Sequence, residues 1–278
     1  MEKTGRLSGK VCVVTGSTGI AEAAAVHFAA EGATLFVTSR TEAHSRDLAE
    51  RLALNGARVA HRSADLGSED EVVAAVTACT ETFGRIDGLF SVAGGSGRQF
   101  GDGPLHEIPL DGWEATFRLN LRGQFLVMRE VVRRMLAQPP DGAGGRGAIL
   151  LMGSVTAFHP APAHYATHAY AAAKAAIAGL VATTAAYYAP SGIRVNAVAP
   201  GAVSTPMSAR AAADPATVDY ASHRQPLTGR FLGADEISGA AVFLLSDESR
   251  VITGQVLGVD AGWSVSDASG WAGPAVDR

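Results

Sequence analysis

The sequence predicts an α/β protein built on a doubly wound parallel sheet of about seven strands, with a helical layer on each face. Short β-branched runs alternate with longer helical patterns along the 278 residues. The strand-like runs are almost continuously apolar, as in strands that are buried on both faces. No shift in composition divides the chain. We therefore expect one domain over residues 1–263 and a loose tail over 264–278, in which Trp271 packs on a neighbouring surface.

The first half of the chain supplies four strand patterns. KVCVVTG predicts the first strand, and the alanine-rich segment from about Glu22 to Glu31 predicts the first helix. ATLFVTSR, ARVAHRSAD and IDGLFSVAG predict the second, third and fourth strands. Between them, TEAHSRDLAERLALNG predicts a helix that stops at Gly56. SEDEVVAAVTACTETFG predicts a further helix, opened by a capping box between Ser68 and Glu71.

The second half continues the alternation. A long helix is expected from about Asp111 to Ala137, and PPDGAGGRG ends it. AILLMGS and IRVNAVAPG predict strands on either side of the helix that contains Tyr170. A polar stretch over about 204–230, expected to be a substrate loop, precedes the helix ADEISGAAVFLLS and the last strand QVLGVD.

Charge and composition exclude several classes of protein. The formal net charge is −4 and no basic cluster stands out, so the chain has no electrostatic footprint for nucleic acid. No segment reads as a membrane span, and the first ten residues do not have the apolar core of a signal peptide. Cys12 and Cys79 fall in a predicted strand and a predicted helix, which favours buried free thiols in a reducing compartment. We expect a soluble cytoplasmic protein.

A glycine pair follows the first strand, in TGSTGIAEAAA. Gly16 and Gly19 lie at the turn into the first helix. Glycine suits a tight turn that a pyrophosphate approaches closely, and the helix N-terminus offers unpaired N–H groups to that anion. Any strand-to-helix turn can use glycines, but this one follows the first strand of a parallel sheet. The position predicts a dinucleotide cofactor.

The end of the second strand bears on the choice of cofactor. Many sheets of this type place an acid there to bind the 2′-hydroxyl of NAD. Here VTSR places Ser39 and Arg40 instead. A guanidinium suits a 2′-phosphate, so NADP(H) is favoured, with NAD(H) as the alternative. The other interpretation is an ordinary solvated arginine at the start of a helix.

Tyr170 and Lys174 lie four residues apart, in YAAAK, and therefore share one helix face. A tyrosine pKa of about 10 is too high for easy proton exchange near neutrality. Lowering it by roughly 3 units needs about 4 kcal/mol, which one ammonium about 4 Å away supplies at an effective dielectric constant near 20. The pair thus suits general acid–base chemistry. The alternative is a core tyrosine beside a lysine that extends to solvent.

Two further polar residues fall where a ligand is expected. Ser154 lies just past the fifth strand, at the carboxyl edge where open α/β sheets bind ligands. Asn120 lies inside the predicted long helix, where asparagine is unfavourable unless a kink or a bound water uses its side chain. An asparagine turned to solvent is the other interpretation.

In their order and spacing these motifs resemble the short-chain dehydrogenase/reductase family, in its short single-domain branch. The matching stretches are TGSTGI, ADL, NLRGQF, GSV, YAAAK, IRVNAVAPGAVSTPM and ITGQVLGVDAGW, and they run from about Leu7 to Trp263. The resemblance implies a Rossmann-type, three-layer αβα fold. It also implies a homotetramer or homodimer and a small carbonyl or alcohol substrate.

The family resemblance implies roles for individual residues. Tyr170 is expected to be the general acid or base, Lys174 to lower its pKa and bind the nicotinamide ribose, Ser154 to orient the substrate oxygen, and Asn120 to support a proton relay. Asp65 is expected to bind the adenine, with Leu66 beside it. The full set of expected cofactor-binding residues is Gly16, Ser17, Thr18, Gly19, Ile20, Ser39, Arg40, Asp65, Leu66, Ala93, Gly94, Tyr170, Lys174, Pro200, Gly201, Val203 and Thr205.

Three stretches depart from the family pattern. The glycine turn is one residue short, and Ala21 stands where a third glycine is usual. The usual Asn-Asn-Ala-Gly after the fourth strand reads SVAG, from Ser91 to Gly94. The segment from Ser154 to Tyr170 is about three residues longer than usual and carries His159, His164 and His168. Prolines in that segment predict a loop, so we expect no metal site there.

The sequence therefore predicts an NADP(H)-preferring oxidoreductase that transfers a hydride between nicotinamide and a ketone or secondary alcohol. One alternative is a nucleotide-binding sensor or scaffold without catalysis. The other is an NAD(P)H-dependent reductase of an imine or a carbon–carbon double bond.

Overall fold

Seven strands run through the part of the chain that the computed structural model describes, residues 5–269. They are β1 (Val11–Thr15), β2 (Thr34–Ser39), β3 (Val59–Ser63), β4 (Gly88–Ser91), β5 (Gly147–Met152), β6 (Ile193–Pro200) and β7 (Val256–Val259). All pair in parallel, in the order β3-β2-β1-β4-β5-β6-β7. The expected doubly wound sheet is confirmed, and its strand order reverses between β1 and β4. Trp271, through which we expected the tail to pack on a neighbouring surface, lies outside the described residues.

Helices connect the strands and cover both faces of the sheet. They are α1 (Ile20–Ala30), α2 (Glu42–Leu54), α3 (Glu69–Phe83), α4 (Leu110–Phe117), α5 (Gly123–Ala137), α6 (His168–Tyr188), α7 (Ala209–Ala212), α8 (Pro215–Arg224) and α9 (Ser238–Leu245). Alternate residues of β1 serve opposite layers, as strand geometry requires. Val13 packs in the core beneath α3, α5 and α6, and Val14 packs in the core beneath α1, α2 and α9. The three-layer αβα arrangement follows.

The predicted long helix is not continuous. One π-helical turn, Arg118–Arg122, separates α4 from α5, and Asn120 lies in it fully buried. Such turns insert an extra residue into a helix and are frequent at functional sites. The irregularity expected at Asn120 is therefore present, and the interpretation of a solvent-facing asparagine is wrong.

Two smaller expectations also fail. The Ser68 side chain makes no capping hydrogen bond at the start of α3. The Glu71 carboxylate instead accepts the backbone N–H of Asp65 at 2.8 Å, because the turn after β3 brings that donor closer than the cap. The polar stretch 204–230 is also more regular than a loop, since it contains α7 and α8. Asp214 caps α8 by accepting the Thr217 N–H at 3.3 Å.

The helix that carries Tyr170 is long and apolar. Residues 168–191 have the length and composition of a membrane-spanning helix, with a mean hydropathy of 1.3 in their most apolar window. However, Ile177 and Val181 pack in the core against the sheet, and Lys174 on the same helix is buried. A central core helix meets the same criteria, and the packing identifies α6 as one.

Candidate active site

The residues predicted to act in catalysis converge at the carboxyl edge of β4 and β5. Ser154 follows β5, Tyr170 and Lys174 project from the first two turns of α6, and Asn120 lies in the π-helical turn. These positions are far apart in the chain, and the parallel sheet brings them together because the carboxyl ends of its strands share one edge.

Lys174 is 3% exposed. Its ammonium group donates to the carbonyl oxygen of Met152, the last residue of β5, at 2.8 Å. Burial lowers the pKa of Lys174 from 10.5 to about 7. Because no carboxylate compensates for the lost hydration, the amine is close to half-protonated at neutral pH.

Tyr170 is partly buried, with the Lys174 nitrogen 5.6 Å from its ring centroid. Burial raises the pKa of Tyr170 to about 12, and a hydrogen bond with Ser154 acts in the opposite direction. We expected Lys174 to lower this pKa, and in the chain alone the shift has the other sign. The reason is that burial disfavours the phenolate, while the Lys174 ammonium group donates to the Met152 carbonyl.

Ser154 precedes a short 3₁₀ helix, residues 155–157, and caps it. Its hydroxyl oxygen accepts the Thr156 N–H at 3.3 Å and lies 2.8 Å from the Thr156 hydroxyl. These contacts hold the serine hydroxyl just beyond β5, on the side where Tyr170 lies.

Asn120 connects the π-helical turn to the loop after β4. Its side-chain oxygen accepts the Gly95 N–H at 3.0 Å, and its side-chain nitrogen donates to the Gly95 carbonyl at 2.9 Å and to the Thr116 carbonyl at 3.0 Å. Gly94 lies between two of the predicted catalytic groups. A Cβ at residue 94 would lie 2.7 Å from the Asn120 oxygen and 3.6 Å from the Lys174 nitrogen. Only glycine fits without displacing that oxygen.

The shortened glycine turn still forms a cradle. Gly16 has φ +101° and Gly19 has φ +58°, both in the region that glycine adopts readily. A Cβ on Gly16 would lie 2.9 Å from the Ala21 methyl group, so the alanine fits because its neighbour has no side chain. Ser17, Thr18 and Ile20 complete the turn into α1, whose first N–H groups have no partner within the helix. The shortened turn therefore still places two glycines with positive φ before the open N-terminus of α1.

The far side of the turn faces the segment after β6. A Cβ on Gly19 would lie 3.2 Å from the Thr205 side chain. Pro200 ends β6, and Gly201 donates its N–H to Val259 at 3.2 Å. Val203 bridges to Leu232. These expected nicotinamide-side residues thus border one crevice with the glycine turn.

Sequence reasoning missed the residue that holds this segment in place, Gln225 of the loop after α8. Gln225 is fully buried. Its side chain joins two backbone segments: it accepts the Ala202 N–H at 2.6 Å and donates to the Arg230 carbonyl at 2.6 Å. Nothing in the local sequence marks it.

At the other end of the crevice, Ser39 is buried and donates to the Thr41 carbonyl at 3.1 Å. Arg40 is exposed at the tip of β2. Its positive charge is close enough to Asp65 to help lower the pKa of that carboxyl. The second strand is therefore followed by a cation close to Asp65, the residue expected to bind adenine.

Asp65 has a second cationic partner that the sequence did not indicate. Arg118 of the π-helical turn donates to one Asp65 carboxylate oxygen at 2.7 Å, and the Gly67 N–H donates to the other at 2.8 Å. Burial opposes ionisation, but these hydrogen bonds outweigh it and the pKa of Asp65 is lowered. Leu66 is buried beside it. The carboxylate is therefore ionised and rigidly oriented.

The SVAG departure is compensated by a strand hydroxyl. Thr15, the last residue of β1, accepts the N–H groups of Val92 and Ala93, each at 3.0 Å. The loop that contains Gly94 is thus anchored to β1 by Thr15. The Ser91 hydroxyl is buried and has no hydrogen-bond partner among residues 5–269.

The inserted segment packs against α8. His164 stacks on Tyr220 with ring centroids 4.3 Å apart, and His168 donates from Nδ1 to the Gly103 carbonyl at 2.7 Å. The two histidines therefore have separate partners. Within the described chain, no group of three or more histidine, cysteine or acidic side chains is arranged to hold a metal ion.

Comparison with known proteins agrees with this geometry. Residues 14–264 match a family model described as enoyl-(acyl carrier protein) reductase. The chain is 37% identical over 259 residues to a glucose 1-dehydrogenase of Gluconobacter oxydans, covering 92% of each chain. Among solved structures it is similar to a short-chain type dehydrogenase/reductase from Mycobacterium ulcerans, with a TM-score of 0.85 and 28% identity over 94% of this chain and 91% of that one.

The chain belongs to the short-chain dehydrogenase/reductase family.

A second solved structure bears on the cofactor. The gluconate 5-dehydrogenase of Burkholderia cenocepacia, in complex with NADP and tartrate, has a TM-score of 0.85 and is 33% identical, with 93% of this chain and 96% of that one covered. As a short-chain dehydrogenase/reductase, the protein is an oxidoreductase of CH–OH and C=O groups that uses a nicotinamide cofactor. The glycine turn, the unpaired N–H groups of α1 and the cation beside Asp65 fit such a dinucleotide.

Proposed function

We propose that this protein is an NADP(H)-preferring oxidoreductase that interconverts a ketone and a secondary alcohol, with Tyr170 as the general acid or base. The convergence of Ser154, Tyr170 and Lys174 at one crevice, with Asn120 across Gly94, carries the proposal. Burying an amine without a carboxylate partner is unfavourable. A catalytic role explains why the chain retains Lys174 at that position, whereas a sensor or scaffold does not require it.

The preference for NADP(H) over NAD(H) rests on the tip of β2. Arg40 offers a guanidinium where an acid would bind the 2′-hydroxyl of NAD, and its charge reaches Asp65. The similar gluconate 5-dehydrogenase was solved with NADP. We expect the glycine turn and α1 to hold the pyrophosphate, and Lys174, Pro200, Gly201, Val203 and Thr205 to border the nicotinamide half.

The bound cofactor supplies or accepts the hydride. The chain supplies the proton and the alignment. With its pKa raised to about 12, Tyr170 is a neutral phenol at physiological pH and is therefore in the form that donates a proton to a ketone oxygen. Ser154 holds that oxygen beside the phenol, and the phenol regains its proton from solvent through Lys174 and a water relay that Asn120 supports.

The substrate class is proposed from charges that face one another across two loops. Burial and the nearby positive charge of Arg210 lower the pKa of Arg98, and Asp102 acts in the opposite direction. Arg98 lies in the loop after β4, and Arg210 lies in α7 within the expected substrate loop 204–230, so two positive charges come together beside that loop. The similar proteins are named for glucose and gluconate. We therefore propose a polyhydroxylated substrate, with an acidic one preferred.

We also propose a cytoplasmic enzyme that forms a homotetramer or homodimer. Cys12 and Cys79 are buried free thiols, consistent with a reducing compartment. Val256 and Leu257 of the edge strand β7 are 37% and 40% exposed. A second copy of the chain would cover this apolar edge.

The test is a panel of substrates assayed with both cofactors. Cyclohexanone and 5-keto-D-gluconate are offered with NADPH or NADH, D-glucose and D-gluconate with the oxidised forms, and 2-cyclohexen-1-one reports reduction of a carbon–carbon double bond. Absorbance of the reduced nicotinamide measures turnover. We expect reduction of a ketone with NADPH, and higher kcat/KM for 5-keto-D-gluconate than for cyclohexanone.

The Tyr170→Phe variant then separates an enzyme from a binding protein. Turnover should fall by about 10²- to 10⁴-fold, because the proton donor is lost, while NADPH affinity measured by its fluorescence stays unchanged. The control is Tyr187→Phe, which alters a 76% exposed tyrosine on the same helix. Unchanged turnover in Tyr170→Phe would refute the proposed role.

A further inference from the structure

Helix α6 begins without a cap of its own. The first N–H groups of any α-helix have no partner within the helix and need one elsewhere. Thr167 occupies the N-cap position, but its side chain makes no capping hydrogen bond. The partner of these groups therefore has to come from another part of the chain, and it bears directly on Tyr170, the third residue of the helix.

That partner is Asp102, a residue that sequence reasoning missed. One carboxylate oxygen accepts the Ala169 N–H at 2.9 Å. The other accepts the Tyr170 N–H at 2.9 Å and the Thr167 hydroxyl at 2.6 Å. Asp102 is 3% exposed, and its negative charge lies at the positive end of the helix dipole. A single buried carboxylate thus accepts three hydrogen bonds at the helix start, from the Thr167 hydroxyl and from the backbone N–H groups of Ala169 and Tyr170.

The segment around Asp102 is tightly packed. The Gly103 carbonyl accepts from the His168 ring at 2.7 Å, which adds a fourth bond to the start of α6. Asp102 donates its own N–H to the Gly97 carbonyl at 3.1 Å. A Cβ on Gly97 would lie 2.5 Å from the Thr116 hydroxyl oxygen and 2.8 Å from the Asp102 Cβ. The segment is therefore wedged between α4 and α6.

This wedge joins the two helical segments that carry predicted catalytic groups. On one side, the Asn120 side chain bonds the Thr116 carbonyl and both backbone groups of Gly95. On the other side, the Asp102 carboxylate bonds the backbone of Tyr170 itself. The loop after β4 thus contacts Asn120 through Gly95 and Tyr170 through the buried Asp102. The relative position of Asn120 and Tyr170 depends on this loop.

We propose that Asp102 is a positioning residue for the reaction, holding the start of α6 so that the Tyr170 hydroxyl faces Ser154 and the substrate. The inference rests on the proposed role of Tyr170 as proton donor. Asp102 touches neither substrate nor cofactor in this role. It acts through the Tyr170 backbone, and a small misplacement of a reacting group lowers turnover strongly.

The first test is the near-isosteric variant Asp102→Asn. The asparagine nitrogen would face a donor, so at least one of the three bonds is lost. We expect kcat for cyclohexanone reduction by NADPH to fall about 10- to 100-fold per active site, with active sites counted by NADPH titration. KM for NADPH should change much less than kcat, because the glycine turn, Arg40 and Asp65, which are expected to hold the pyrophosphate and adenosine half, lie on other elements than α6. The matched control is Glu107→Gln, the same chemical change at a largely exposed side chain a few residues along the same loop.

A merely structural role gives a different result. In that case the variant yields fewer NADPH-binding molecules or a lower melting temperature, but kcat per titrated site equals that of the wild type. That outcome overturns the proposal. Thr167→Ser, which retains the hydroxyl donor to Asp102, should keep wild-type kcat, whereas Thr167→Val should lower it by a smaller factor than Asp102→Asn.

The second test does not depend on turnover. Hydrogen exchange of the Ala169 and Tyr170 amides, measured by NMR or mass spectrometry on the intact protein, should accelerate at least tenfold in Asp102→Asn and stay unchanged in Glu107→Gln. Equal exchange in Asp102→Asn and wild type overturns the proposal. If the wild type reduces no ketone of the panel, the proposed function fails, and the exchange measurement still decides whether Asp102 holds Tyr170.

Discussion

Replacing Lys174 with methionine should make the folded chain more stable, and more so at low pH. The lysine is 3% exposed, and its only described hydrogen bond goes to the Met152 carbonyl, a neutral group. Methionine has nearly the same length and needs no hydration. The variant therefore removes a buried amine while it keeps most of the packing.

The magnitude follows from the pKa of Lys174, which burial lowers from 10.5 to about 7. Between these two pH values the unfolded chain binds more protons than the folded chain, so the free energy of unfolding rises with pH. Below pH 7 the full penalty applies, about 5 kcal/mol at roughly 1.4 kcal/mol per pH unit. By about pH 9 it has fallen to roughly 2 kcal/mol. The stability advantage of Lys174→Met should thus shrink by roughly 2–3 kcal/mol between about pH 6 and pH 9.

Urea unfolding of the cofactor-free protein, at one protein concentration and at pH 6 and pH 9, measures this difference. Subtracting the free energy of unfolding of the wild type from that of the variant at each pH removes the contributions of the other titrating groups. The control is Lys10→Met, since Lys10 reaches solvent and pairs with Asp247 at 2.7 Å. Its effect on stability should be equal at the two pH values. A Lys174→Met advantage that does not vary with pH would show that the amine is hydrated in the folded protein.

Two further predictions concern the cofactor end of the crevice. Arg40→Ser should weaken NADPH binding by about tenfold or more and leave NADH binding within twofold, because only NADPH carries the 2′-phosphate. Fluorescence titration measures both affinities, and Arg62→Ser, at an exposed arginine, is the control. Equal losses of affinity for the two cofactors would contradict the assignment of Arg40 to the 2′-phosphate. Thr15→Val should destabilise the fold by about 1–3 kcal/mol, because the partly buried N–H groups of Val92 and Ala93 lose their acceptor. Thr38→Val is its matched control, since Thr38 pairs with Thr15 across the sheet and its buried hydroxyl has no partner among residues 5–269. Urea unfolding measures the free energy of unfolding of both variants. Equal losses would show that the hydrogen bonds to the Thr15 hydroxyl do not stabilise the fold.

Most of the sheet was predictable because strands such as β1, β5 and β6 are nearly contiguous apolar runs, whereas the edge strand β3 is half polar. A strand buried on both faces must be apolar throughout, so β1, β4 and β5 are visible in the sequence without knowledge of their neighbours. The glycine turn was predictable for the same reason, since Gly16 and Gly19 meet a local demand of the backbone.

The long helix was less predictable. Its apolar face continues across residues 118–122, so periodicity alone indicates an unbroken helix. The π-helical turn forms because Asn120 finds three backbone partners, two of them on Gly95, which lies 25 residues away. The capping box at Ser68 failed in a similar way, because Glu71 found a better donor in Asp65.

The sequence by itself determined the strand and helix order, the glycine turn and the pairing of Tyr170 with Lys174 on one helix face. Each of these depends on residues within one or two turns of each other, where backbone geometry alone dictates the result. Only the tertiary structure decided that Lys174 is desolvated, that Arg118 orients Asp65, and that Asp102 holds the start of α6 from 68 residues away. These properties arise when distant side chains are brought together and removed from water, and both the hydrogen-bond partners and the local dielectric are set by that assembly.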